Sequence, residues 1–149
     1  MNPLKLHQSD TLDIFSVSTA TELNLPFISE GISAGFPSPA MDFDDLKIDL
    51  NQHLIKNPAS TFLGRVKGTS MVNAGFNHGD IIVIDKSIAP TDGKIAVCFI
   101  DGEFTIKRIK LDTNCCWLMP ENEAYQPIKV TSENEFLIWG IVTYIIKKV

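Results

Sequence analysis

Two residues in this sequence have the types and setting from which hydrolytic chemistry can be built. Ser70 stands in GTSMVNAGFNHGD (68–80), with Gly68 before it, Gly75 and Gly79 after it, and the apolar run IIVID (81–85) behind. A serine hydroxyl is a poor nucleophile until a base lies beside it. Local sequence leaves two readings open: a Gly/Ser turn, or a nucleophile held at the edge of a strand. Histidine is the usual base. Here Asn77-His78-Gly79-Asp80 reads as a turn into the next strand, His53 falls within a predicted helix, and His7 lies near the N-terminus. A Ser-His-Asp arrangement therefore has little support from spacing.

Lysine is the alternative base. In water its amine titrates near pH ~10.4 and is charged at neutrality. Burial can lower that value by several units. Lys107 stands in FTIKRI. On strict alternation Phe104, Ile106 and Arg108 share one face, and Lys107 shares the other with Thr105 and Ile109. The pattern is compatible with a desolvated amine, but on the pattern alone a solvated face along which the stem snorkels is the preferred reading.

The elements that must position these groups read as strands. TFLGRVKG and IIVID bracket the Ser70 loop. KIAVCFI and EFTIKRIKL flank Asp101-Gly102, a strong two-residue hairpin signal. CCWLMP, PIKV and FLIWGIVTYIIKKV follow, separated by polar turns. Many short strands with turn signals between them predict an all-β domain, a sandwich or a partly closed barrel. One helix is expected in DFDDLKIDLNQHLIKN (42–57), where Phe43, Leu46, Leu50 and Leu54 share a face. Asp42, Asp44 and Asp45 crowd its first turn and Lys56 its end, as the helix dipole favours. Residues 1–40 are rich in Ser, Thr, Asn and Pro, and the prolines in ISAGFPSPA (32–40) forbid helix. We expect an extended arm over 1–40, ordered only where it docks, and a β domain over 41–149.

Bulk properties narrow the classes. The chain has 149 residues and a net charge of −5. Its only basic clusters are Lys107, Arg108 and Lys110, and Lys147 with Lys148. That is no footprint for direct, sequence-specific DNA binding, which draws on phosphate contacts. Three cysteines, Cys98, Cys115 and Cys116, lack CxxC spacing. They read as reduced thiols, with neither a disulfide framework nor a metal site, and no cofactor is expected. The first thirty residues have no continuous apolar core of a signal peptide. FLIWGIVTYII (136–146) is about half the roughly 20 residues needed to cross a bilayer. We expect a cytoplasmic protein that does not bind membranes.

The segments RVKGTSMVNAGFNHGDIIVID, DGEFTIKRIK, MPENEAYQPI and WGIVTYIIK resemble the UmuD proteins of the bacterial SOS response. DLNQHLIKNPASTF and FPSPAMDF match that family's approach to the core, and the likeness covers nearly everything from Gly35 to the C-terminus. These proteins resemble the C-terminal part of LexA, a self-cleaving peptidase with a Ser-Lys dyad. The resemblance implies a LexA/signal-peptidase-like fold, with Ser70 as nucleophile and Lys107 as general base. It places the oxyanion hole at the backbone N–H groups of Thr69 and Ser70, and the cleaved bond at Ala34-Gly35 in ISAGFPSP. Small residues on both sides of that bond suit a narrow cleft, and an arm without its own ladder can enter as an added strand. The 36 residues from Ala34 to Ser70 span on the order of 120 Å when extended at ~3.3 Å each, so reach does not separate self-cleavage from cleavage by a partner copy.

As partners the resemblance implies a second copy of the chain, a RecA–single-stranded DNA filament that stimulates cleavage, and an UmuC-like Y-family polymerase joined by the shortened homodimer for translesion synthesis. Before Ile28 the match weakens, and no helix-turn-helix precedes the β domain, as a LexA-type repressor would need. Other readings are a non-enzymatic β domain that docks a polymerase or repressor through its arm, and a free-standing repressor remnant or anti-repressor.

Overall fold

The computed structural model describes residues 4–27, 34–35 and 47–149. The chain forms two compact units: Met1–Val17 together with Asn57–Val149, and Ser18–Lys56.

In the smaller unit, β3 (Asn24–Pro26) pairs antiparallel with β4 (Lys47–Asp49), Leu25 opposite Ile48. Helix α1 follows at once and is only five residues long, Leu50–Leu54. The expected helix over 42–57 is thus corrected. Its beginning lies outside the described residues, and Lys47–Asp49 is strand. Two local interactions override the helical periodicity there. Pairing with β3 engages the backbone of Lys47–Asp49, and the Asp49 carboxylate accepts from the N–H groups of Asn51 (3.0 Å) and Leu23 (3.1 Å). A carboxylate in that position caps a helix and sets its start at Leu50.

The larger unit is built on one antiparallel sheet of nine strands. Their ranges are β1 (Lys5–His7), β2 (Leu12–Ser16), β5 (Thr61–Val66), β6 (Ile81–Asp85), β7 (Ile95–Ile100), β8 (Glu103–Leu111), β9 (Cys116–Met119), β10 (Ile128–Val130) and β11 (Phe136–Ile146). The spatial order is β1-β2-β5-β6-β11-β7-β8-β9-β10. The β7–β8 hairpin turns on Asp101 (φ 49°) and Gly102 (φ 88°). Both are left-handed, as the expected two-residue turn requires. The turn sets the register that puts Lys107 opposite Ala96.

Within the segment read as an arm, β2 lies on β5 with Leu12 opposite Val66 and Ile14 opposite Gly64, and β1 lies on β2. Leu12 and Ile14 join Val66, Met71, Phe76, Ile82, Ile84, Val97 and Ile106 in one buried cluster. A second cluster holds Ala96, Cys98, Ile109, Leu118 and Ile141. β8 contributes Ile106 to the first and Ile109 to the second, so its middle is covered on both faces. The sheet curls until the Thr11 hydroxyl donates to the Phe104 carbonyl on β8, without closing into a barrel. Among the described residues no helix is long and apolar enough to cross a membrane.

Candidate active site

The loop between β5 and β6 is anchored from below and clamped from the side. Met71 and Phe76 are buried in the first core cluster. Between them Val72–Ala74 make a single 3₁₀ turn, closed by Gly75 N–H on the Val72 carbonyl (3.0 Å). Gly68 (φ 87°) and Gly75 (φ 89°) bracket the loop in left-handed conformations, which cost a residue with a Cβ about 1–2 kcal/mol. The segment 120–125 holds the outer side. Glu121 N–H donates to the Ser70 carbonyl (2.8 Å), and Asn73 N–H donates to the Glu121 carbonyl (2.9 Å). Asn122 Nδ2 donates to the Thr69 carbonyl (2.9 Å), and the Thr69 and Tyr125 hydroxyls share a hydrogen bond (3.0 Å). Half-buried Ser70 therefore sits on fixed backbone.

Lys107 reaches this loop from the middle of β8. Its Nζ lies 3.1 Å from Ser70 Oγ, 2.7 Å from Thr105 Oγ1 and 3.0 Å from the Ile106 carbonyl oxygen. The residue is only 6% exposed. Burial pushes its amine below the ordinary lysine value, and Cys98 acts more weakly in the opposite sense. Of the two readings left open by alternation, the desolvated amine is the one observed. A neutral amine has two N–H bonds and one lone pair. Thr105 Oγ1 and the Ile106 carbonyl can take the two N–H groups, and the lone pair is then free for the Ser70 hydroxyl. Proton transfer across such a contact is general-base geometry.

The pair opens on a cleft of about 250 Å³. Gly68–Met71 form one wall and Thr105–Lys107 another, and Asp10, Thr11 and Tyr125 also line it. Among the described residues, the N–H groups of Thr69 and Ser70 donate to no protein acceptor. Ala34 and Gly35 form an exposed bend in the smaller unit. His78 Nδ1 accepts from Gly68 N–H (3.2 Å), and Asp80 accepts from Asn77 N–H (2.8 Å) and pairs with Lys147. Both fasten the turn after the loop, in keeping with their reading as turn residues. His7 packs edge-on against Phe104 with ring centres 4.8 Å apart.

Several participants were not singled out from sequence. Thr105 had a readable signal, since two residues along a strand is the same face as Lys107. Glu121, Asn122 and Tyr125 had none, because only the tertiary fold brings their segment to the Ser70 loop. Arg108 Nε donates to Glu121 Oε1 at 2.5 Å, and its Nη1 donates to the Gly93 carbonyl (2.7 Å). It thereby ties β8 to the clamp.

Comparison with known proteins agrees with this architecture. The family model described as Peptidase S24-like matches residues 26–143. Protein MucA of Escherichia coli is 38% identical over 135 residues, covering 89% of this chain and 92% of that protein. Protein SamA of Salmonella typhimurium (strain LT2) is 42% identical over 123 residues, 83% of this chain and 85% of its own length. The LexA repressor of Alcanivorax borkumensis is 36% identical over 146 residues, 97% of this chain and 70% of the repressor.

Proposed function

Because this chain belongs to the peptidase S24-like family, within its UmuD-type branch of SOS mutagenesis proteins, we propose that it cuts its own N-terminal arm between Ala34 and Gly35 with Ser70 and Lys107. The observation that carries this reading is the buried Lys107 amine 3.1 Å from the Ser70 hydroxyl.

The chemistry is acyl transfer. Lys107 Nζ takes the proton from Ser70 Oγ as the oxygen attacks the Ala34 carbonyl carbon. The carbonyl oxygen becomes an oxyanion, for which the Thr69 and Ser70 N–H groups are the donors. Donors fixed in place before reaction need no reorganisation as that charge develops. Here the hydrogen bonds on the Thr69 and Ser70 carbonyls do the fixing. As the intermediate collapses, the Ala34–Gly35 C–N bond breaks and the Gly35 amine leaves with the proton from Lys107. Water, deprotonated by the same amine, then attacks the Ala34 ester and regenerates Ser70.

In this reading a RecA–single-stranded DNA filament stimulates the cut in the cytoplasm. The shortened homodimer then serves an UmuC-like Y-family polymerase in synthesis past lesions. The test is to hold the purified chain at alkaline pH and weigh the products under denaturing conditions. Pieces 1–34 and 35–149 are expected from the wild type, and none from Ser70→Ala. A cut at another bond, or cleavage of Ser70→Ala at the wild-type rate, overturns the assignment.

A further inference from the structure

Severing the chain after Ala34 breaks one covalent link, yet residues 5–16 of the severed piece are two strands of the main sheet. β2 lies along β5 from Leu12 opposite Val66 to Ser16 opposite Phe62. Leu12 is fully buried and Ile14 is 2% exposed, in the same cluster as Met71 and Ile106. β5 is shaped to receive them. A Cβ on Gly64 would stand only 2.9 Å from Leu12 Cδ1, so the absent side chain is the space the leucine occupies. Between the two apolar residues, buried Asp13 pairs with Lys67 Nζ at 2.9 Å. The same amine donates to the Ser9 carbonyl (2.7 Å), and Lys67 N–H donates to the Thr11 carbonyl (3.1 Å).

Taking this piece away would expose apolar core and leave β5 as a bare edge, a surface that pairs with any strand offered to it. We propose that the β5 edge is a strand-binding site for residues 5–16, that it retains the 1–34 piece after the cut, and that the product is a two-piece complex whose edge opens only by exchange for another strand. The proposal rests on the cleavage reading for its biological setting. A competing strand would run antiparallel to β5 and carry two apolar residues flanking an acid, as Leu12-Asp13-Ile14 do, in the manner of β-strand addition.

Two measurements separate the proposal from the cleavage reading. In self-cut protein, denaturing mass spectrometry reports whether the bond broke, and native mass spectrometry with size exclusion reports whether 1–34 stays with 35–149. In parallel, a site-specific protease sequence is inserted between Ala34 and Gly35 of Ser70→Ala and cut, which tests retention even if the wild type never cuts itself. Co-elution at micromolar concentration, reversed by denaturant, is expected. A labelled synthetic peptide of residues 1–34 should exchange into the nicked protein. The same peptide with Leu12→Ala should bind at least about thirtyfold more weakly, the loss expected for truncating a buried leucine. Since that substitution is in the peptide, the folding of the body is unaffected. Loss of 1–34 from folded 35–149 on the native column, or equal binding of the two peptides, overturns the proposal. An uncut wild type together with a retained engineered nick refutes self-cleavage and leaves the strand site standing.

Discussion

Lys107→Met separates chemistry from stability in one substitution. Methionine keeps an unbranched chain of similar length in the strand and removes the amine that lies 3.1 Å from Ser70 Oγ. General-base assistance contributes about 10²–10⁴-fold to rate, so cleavage at Ala34-Gly35 should fall by at least two orders of magnitude. In the wild type the rate should rise about tenfold per pH unit while Lys107 is mostly protonated. It should level off above the lowered lysine value that burial imposes. Stability moves separately. The unfolded chain holds the lysine proton up to pH ~10.4 and the folded chain releases it earlier, so unfolding takes up a proton between the two values. Over that interval wild-type stability climbs with pH by up to about 1.4 kcal/mol per unit. Below it the full cost of the buried charge is present, and above it that cost is gone. Lys107→Met should lose this slope and unfold at neutral pH no more easily than the wild type. The assay is fragment mass against time from pH 6 to 10, paired with urea unfolding across the same range. Cleavage of the variant at the wild-type rate, a wild-type rate that is flat with pH, or unchanged pH dependence of stability would refute a buried neutral base.

Two further outcomes follow from contacts around the site and the sheet. Thr105→Val removes a hydrogen-bond acceptor 2.7 Å from Lys107 Nζ. Such an acceptor favours the ammonium form, so the pH midpoint of cleavage should shift downward while the plateau rate drops roughly tenfold for want of orientation; an unchanged profile would remove Thr105 from the site. Gly140→Ala would place a Cβ 2.6 Å from Ile84 Cγ2. Overpacking of that kind costs about 1–3 kcal/mol, a fall in Tm of roughly 2–12 °C at 2–4 °C per kcal/mol, and a calorimetric Tm equal to wild type would show that the two strands separate freely there.

The strands that carry the site were legible because each signal was local. Asp101-Gly102 set a hairpin, and the hairpin set the register of Lys107. Resemblance paired that lysine with Ser70, whose glycine-bracketed loop was already conspicuous. What alternation left open was whether Lys107 is wet. That depended on Ala96 and Cys98 of β7 covering its face, and such cover comes from a neighbouring strand. β1 and β2 went unseen for a related reason. Their apolar residues are few and sit in a polar segment, and Leu12 and Ile14 are buried because Gly64 and Val66 receive them, fifty residues further along the chain. The helix over 42–57 was misjudged at Lys47–Asp49 because partnership with β3 and the Asp49 cap are invisible to periodicity. The support from Glu121 and Tyr125 likewise exists only once β9 has brought their segment back to the loop.

Strand β8 has a double office. Lys107 carries the amine, and its neighbour Arg108 grips Glu121, whose backbone in turn grips the stretch bearing Ser70. Hydroxyl and amine are thus referred to a single beam, as two tools bolted to one rail stay in alignment when the bench shakes. Breathing elsewhere in the sheet should carry both reactants along together.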